Sequence, residues 1–268
     1  MDPFLLTLQA LLIFGVAFIY SNLGLGGGLL FVPILLSTSV PSSDIAVPIS
    51  LTLTIATAAS SVINHYRLGL VDFHLGGVLV AGAMVGALVG TFFTLKVLDE
   101  YTFKAFFVTV LLAFGAYMVR DWIRNTRSVD EDNGALMTRP RVVATAAATG
   151  GSGFLSGSMG IGGGLLNVPL LVYLLGRKTR KAVGTSSLLI IPTAAVGFAA
   201  YLIDIAVRPI GFSWPEEFAL IPILMPIVFV GAYIGSRWGL NRLKTRSVAL
   251  IFILVLFIAA ARLLYDLV

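Results

Sequence analysis

Gly24-Leu25-Gly26-Gly27-Gly28-Leu29-Leu30-Phe31-Val32-Pro33 interrupts a strongly apolar run with glycines and then resumes in helix-forming residues. The string returns as Gly160-Ile161-Gly162-Gly163-Gly164-Leu165-Leu166-Asn167-Val168-Pro169, 136 residues later and about half a chain away. Aligned without a gap, residues 23–36 and 159–172 share 9 identities in 14 positions, and 46–59 and 182–195 share 8 in 14. Ser50 pairs with Ser186, Thr57 with Thr193 and Ala58 with Ala194. Further on, Gly86 and Gly90 match Gly231 and Gly235, and Asp121 matches Asp266, all at a spacing of 145. The chain is an internal repeat, and each copy carries one glycine break.

Composition places these breaks in a membrane. The 268 residues are 58% hydrophobic and only 12% charged, with a mean hydropathy of +0.98. Soluble domains carry about 25% charged residues, and a fold of this size could not cover its surface with so few. The apolar runs show no period of two, which excludes a β-barrel. The spans are therefore helices, because backbone groups in lipid must be satisfied internally. The net charge of +5 is spread over short loops, so topology explains it and a nucleic-acid partner is not expected. There are no cysteines, hence no disulfide, thiolate metal site or thiol nucleophile. Met1-Asp2-Pro3-Phe4 lacks the basic start of a signal peptide, so the first apolar run reads as a retained part of the fold.

Apolar segments run over 4–20, 29–36, 45–65, 70–95, 101–120, 142–157, 165–175, 182–203, 217–236 and 247–265. Segments of about 20 residues can cross a hydrocarbon core about 30 Å thick. The pieces 29–36 and 165–175 are too short to cross and read as half-helices joined to the preceding segment by the glycine break. Residues 121–141 form a polar linker containing Arg124, Arg127, Asp130, Glu131, Asp132, Asn133 and Gly134. It separates a first repeat, 1–120, from a second, 142–268.

Lysine and arginine concentrate in cytoplasmic loops. Arg177, Lys178, Arg180 and Lys181 form one basic loop, and Arg237, Arg242, Lys244 and Arg246 form another. The linker adds Arg120, Arg124, Arg127, Arg139 and Arg141, and Arg67 marks a further turn. All of these fall inside if segment 142–176 enters the membrane and returns as a broken hairpin. Lys96, Lys104, Arg208 and Arg262 then lie outside with both termini. Each half has an odd number of segments, so the halves are inverted. The expected fold is all-α and polytopic, with two inverted repeats, each a glycine-broken helical hairpin plus three transmembrane helices.

The breaks are the leading candidates for chemistry. Glycine reaches backbone angles closed to other residues. The N–H groups of Gly26, Gly27 and Gly28, and of Gly162, Gly163 and Gly164, open a helix and have no i−4 acceptor. A helix N-terminus also carries partial positive charge. Together these hold an anion without a lysine or arginine, a recurrent device of transporters with broken helices near the midplane. Ser50, Thr52, Thr54 and Thr57, with Thr185, Ser186, Ser187 and Thr193, follow the breaks. Their hydroxyls either donate to an anion or bond their own helix. Ser50 and Ser186 stand out because the repeat matches them. Asn22 and Asn167 flank the breaks and either cap them or touch substrate. His65 and Arg67, grouped with Asn64, Asp72 and His74, either draw an anion to the inner mouth or anchor a helix end, and His65 can carry a proton. Gly82, Gly86 and Gly90, like Gly231, Gly235 and Gly239, make four-residue stripes suited to close helix packing. Tyr201 and Trp214 are assigned to the aromatic belt. With no HExxH or GxSxG, no enzymatic activity and no cofactor are expected. A channel and a carrier both suit dipole-lined breaks.

The duplicated GxGGGxxxVP, the following Ala-Val-x-x-Ser, and His65-Tyr66-Arg67-Leu68-Gly69-Leu70-Val71-Asp72 resemble the sulfite exporter TauE/SafE family of bacterial membrane proteins over nearly the whole chain. The resemblance implies transport of sulfite, sulfoacetate or related organosulfonates across the cytoplasmic membrane, with Gly24 to Gly28 and Gly160 to Gly164 as the family motif. Expected partners are a small anionic substrate and the lipid bilayer, with a homodimer left open. Pro48 stands where the second half has Gly184, so the two sides of the site should differ.

Overall fold

The computed structural model describes residues 3–124, 132, 136–207, 215–242 and 245–265. Arg127, Asp130, Glu131, Asn133, Gly134, Arg208, Trp214, Lys244 and Asp266, named above, lie outside them. The described residues are helical, with no strand among them. The first half contains α1 (Pro3–Tyr20), α2 (Gly28–Thr38), α3 (Ser43–Arg67), α4 (Phe73–Val97) and α5 (Glu100–Arg124). The second contains α6 (Arg139–Met159), α7 (Gly164–Pro169) running into a π-helical stretch Leu170–Leu174, α8 (Thr179–Val207), α9 (Leu220–Arg242) and α10 (Thr245–Tyr265). Among the described residues, six helices are long and apolar enough to cross a membrane.

Local chemistry accounts for several boundaries. Asp72 caps α4, its carboxylate accepting from the Leu75 N–H at 3.0 Å. The Glu100 carboxylate accepts from the Ser43 N–H at 3.0 Å and from its hydroxyl at 2.7 Å, satisfying the start of α3 from another helix. α5 runs to Arg124 and α6 begins at Arg139, so the helices extend a few residues into the polar linker. Pro33 lies within α2 without ending it, whereas its counterpart Pro169 is followed by π-helical turns. Proline lacks the N–H for an i−4 bond, and a π-bulge is one way to absorb that loss.

The packing is reciprocal between halves. α4 lies so close to α6 that β-carbons on Gly82, Gly86 and Gly90 would stand 2.0, 1.9 and 2.1 Å from the carbonyl oxygens of Ala146, Gly150 and Phe154. α9 lies against α1 in the same way: Gly231 faces the Phe14 carbonyl and Gly235 the Phe18 carbonyl, the latter at 2.1 Å. Phe14 and Phe18 are the repeat counterparts of Gly150 and Phe154. Each hairpin is thus clasped by a glycine-striped helix of the other half. α3 and α8 pack against each other at the centre, and 78% of the apolar window of α3 is buried inside the protein. The other spans bury less than half of theirs, and large apolar side chains such as Val85, Val143, Ile203 and Ile258 face outward, as lipid contact requires. Tyr201, assigned above to the aromatic belt, is 0% exposed; α8 turns it into the core.

Candidate functional site

The two breaks meet. Gly24, Gly26 and Gly27 have φ of 68°, 78° and 93°, and Gly160, Gly162 and Gly163 have 70°, 84° and 77°. Non-glycine residues rarely hold these values, so the first, third and fourth positions of GxGGG are explained by conformation. The fifth is explained by proximity. A β-carbon on Gly28 would stand 2.0 Å from the Gly160 carbonyl oxygen, and one on Gly164 would stand 2.4 Å from that of Gly24. These contacts are repeat counterparts of each other, so each break seats the other's first carbonyl.

Two hydroxyls close the arrangement. Ser50 donates to the Gly160 carbonyl at 2.9 Å, and Ser186 donates to the Gly24 carbonyl at 2.8 Å. Both serines are fully buried. The hydrogen of each hydroxyl is therefore committed to the opposite break, so the pair acts as two matched latches between the halves. Among the described residues, no acceptor is present for the N–H groups of Gly26, Gly27 and Gly28 or of Gly162, Gly163 and Gly164. Among the residues whose side chains are described, no lysine, arginine, aspartate or glutamate is buried. The interior thus offers peptide dipoles and hydroxyls, with no buried cationic chain among those residues to serve as a counter-ion.

Thr54 and Ile190 occupy equivalent positions of the repeat, and both lie against both breaks. β-Carbons on Gly26 and Gly162 would meet the Thr54 methyl at 2.8 and 2.2 Å, and Ile190 side-chain carbons at 3.2 Å in each case. The Thr54 hydroxyl is buried without a partner, a condition that costs about 1–3 kcal/mol in a protein interior.

The remaining sequence candidates disperse. Asn22 donates to the Phe18 carbonyl at 3.0 Å, while its own carbonyl oxygen is buried without a partner. The Asn167 Oδ1 accepts from the Ser152 hydroxyl at 2.7 Å, inside its own hairpin, and the same hydroxyl contacts the Gly163 carbonyl. Thr185 accepts the Asp72 N–H at 3.1 Å, tying α8 to the turn between α3 and α4. Gly184 permits that approach, since a β-carbon there would stand 2.5 Å from the Leu70 carbonyl; this is a physical reason for glycine opposite Pro48. His65 and Arg67 do not act as one cluster. Arg67 is exposed and donates to the Tyr233 hydroxyl at 3.1 Å. His65 is 0% exposed, with Nδ1 2.8 Å from the Ser61 carbonyl and Nε2 without a partner. Ser61 in turn donates to the Ser21 carbonyl beside the first break at 2.9 Å and lies 3.2 Å from the Ser187 hydroxyl. Ser61, Ser21 and Ser152 escape a sequence reading because their partners are remote backbone carbonyls or lie in another segment. Thr54 has a sequence signal: it is a hydroxyl where the other repeat has an isoleucine.

At the basic loop, Arg177 pairs with Asp72 and lies 3.7 Å from Asp132, which Lys181 also meets at 2.7 Å. Partial burial pushes the Asp132 carboxyl up. The hydrogen bonds from the Lys181 ammonium and the Lys178 N–H, with the charges of Lys181 and Arg177, outweigh this and hold it below the usual carboxylate range. An open groove of about 600 Å³ runs along the contact between α4 and α6, lined by Val85, Val89, Ala147 and Phe154 among others. It does not reach the breaks.

The family model described as "Sulfite exporter TauE/SafE" matches residues 9–263. The chain belongs to this family. Among relatives of the TauE/SafE chain, the probable membrane transporter protein YunE of Bacillus subtilis is 27% identical over 266 residues, covering 92% of each chain. The probable membrane transporter protein MJ0441 of Methanocaldococcus jannaschii is 26% identical over 245 residues, covering 89% of this chain and 87% of its own. The probable membrane transporter protein YdhB of Bacillus subtilis is 26% identical over 186 residues, covering 68% of this chain and 69% of its own. No solved structure matches. Family, relatives and apolar helices agree on a multi-pass membrane transporter.

Proposed function

We propose that this TauE/SafE protein carries small anions, sulfur oxyanions or organosulfonates such as sulfite and sulfoacetate, outward across the cytoplasmic membrane by alternating access. The observation that carries the reading is the meeting of two glycine breaks whose N–H groups have no acceptor among the described residues, where no lysine or arginine with a described side chain is buried. Unpaired donors in a low-dielectric interior favour an acceptor-rich, negatively charged ligand. The family description names sulfite, which fits three acceptor oxygens around a small centre. The protein is a carrier and performs no chemistry on its cargo.

The reciprocal contacts support inverted repeats. A two-fold axis in the membrane plane would place the Ser50 latch toward one side of the membrane and the Ser186 latch toward the other. Releasing one while the other holds would open the breaks to one side at a time, the requirement of alternating access. Rocking one half against the other on the glycine-lined α4–α6 and α1–α9 contacts would supply the motion.

The test is counterflow of labelled sulfite in proteoliposomes. The purified protein should exchange internal for external sulfite at carrier rates, saturably and without large currents. Currents far above carrier rates would show a channel instead, and no exchange of sulfite or any organosulfonate would remove the substrate assignment.

A further inference from the structure

We infer that Thr54 supplies the side-chain hydrogen bond to the transported anion, and that Thr54 and Ile190 give the site one polar and one apolar wall. The inference rests on the reading of the breaks as the anion site.

The behaviour of the other threonines makes Thr54 distinctive. Thr52, Thr57, Thr145 and Thr193 each turn the hydroxyl back onto a carbonyl three or four residues earlier, at 2.7 to 3.0 Å. This is the ordinary resting place of a threonine in an apolar helix. Thr54 lies between Thr52 and Thr57 on α3, yet its Oγ1 makes no such bond. It is also 0% exposed. Valine would fill the same space without an orphaned hydroxyl, so packing alone gives no reason for threonine here.

The position gives the reason. It is the Thr54 methyl that lies against both Gly26 and Gly162; a turn to the next staggered χ1 rotamer exchanges it with the unpartnered Oγ1, which then faces glycine N–H groups that also lack acceptors among the described residues. These unpaired groups are all able to donate. A ligand that satisfies them must bring acceptor oxygens. Across the breaks, Ile190 presents only hydrocarbon, in contact with the paths of Gly26, Gly162 and Gly164. An oxyanion with acceptors on one side and an apolar group on the other matches both walls.

The experiment uses the full chain in detergent and in proteoliposomes, with methanesulfonate and sulfate as probes. Wild-type protein should bind methanesulfonate at least tenfold more tightly than sulfate. Thr54→Val should lose about tenfold in methanesulfonate affinity, equivalent to about 1.4 kcal/mol, while its melting temperature without ligand stays equal or rises. Thr54→Ser, which keeps the hydroxyl, should stay within about twofold of wild type. Ile190→Thr should narrow the preference over sulfate. Thr54→Val binding methanesulfonate as wild type does would overturn the inference, and so would equal losses in the valine and serine variants. If methanesulfonate binds but Gly28→Ala leaves that binding intact, the breaks are not the site, and both readings fall together.

Discussion

Ser50 and Ser186 each spend a buried hydroxyl on a carbonyl of the opposite break. Removing one leaves a buried carbonyl unpaired, at a cost of about 1–2 kcal/mol. Ser50→Ala and Ser186→Ala should therefore each lower the melting temperature by about 2–8 °C, measured in detergent. Each should bias the carrier toward one side, so reconstituted variants should differ in the ratio of uptake to efflux. Equal behaviour of the two would argue against latches on opposite sides. Gly28→Ala should be far more damaging, because its β-carbon would stand 2.0 Å from the Gly160 carbonyl and neither backbone can yield. Gly15→Ala is the control: nothing lies within 4 Å of its β-carbon, and alanine in a helix interior is favoured by about 1 kcal/mol. The need for glycine in the breaks is legible in the sequence, since a duplicated GxGGG within apolar runs marks backbone angles that only glycine holds readily. The pairing of Gly28 with Gly160, 132 residues apart, is not legible, because nothing local to either string encodes it. Nor is the burial of His65, which depends on Gly184 admitting the α3–α4 turn against α8.

At the scale of elements, the helix boundaries follow from apolar length and agree with the sequence to within a few residues, except toward Arg242. There, polar and basic residues continue α9 beyond its apolar run. The glycine stripes announce close packing, but their partners become clear only in three dimensions: α4 on α6 and α9 on α1. The tie at the basic loop belongs to this scale as well. Asp132 of the linker is held by Lys181 and by the Lys178 N–H at the start of α8. Its carboxyl titrates below the usual range, so the stabilisation is present above the unfolded-state pKa and is lost as pH falls through the folded value. Asp132→Asn should increase hydrogen exchange across 136–141 and 177–181 at neutral pH. Lowering the pH below the usual carboxylate range and through the folded value should bring wild type toward the variant. Exchange that does not change in Asp132→Asn would show that the tie contributes nothing.

For the whole molecule, the odd number of segments and the distribution of basic residues predict inverted halves, with Arg67 and the 177–181 loop inside and the 96–104 turn outside. The absence of native cysteines makes this directly measurable. Arg180→Cys should react with an impermeant maleimide only when the cytoplasmic face is open to the reagent, and Asp99→Cys should react in intact cells. Both positions are exposed. Labelling of both from one side would exclude the inverted arrangement. The fold class is legible because bilayer physics leaves an apolar chain few options. Substrate is much less so, because the proposed site is made of backbone donors, which write little specificity into side chains; the contrast of Thr54 with Ile190 is the exception proposed above.

All of this turns on an oxyanion sitting where the two breaks meet. A structure of the full chain with selenite can locate it, because selenium scatters anomalously and selenite copies the shape of sulfite. The expected result is an anomalous peak within about 4 Å of the N–H groups of Gly26 to Gly28 and Gly162 to Gly164, beside Thr54. A protein that transports selenite yet shows its peak only at the Arg177–Lys181 loop, with none between the breaks, would rule out the breaks as the anion site.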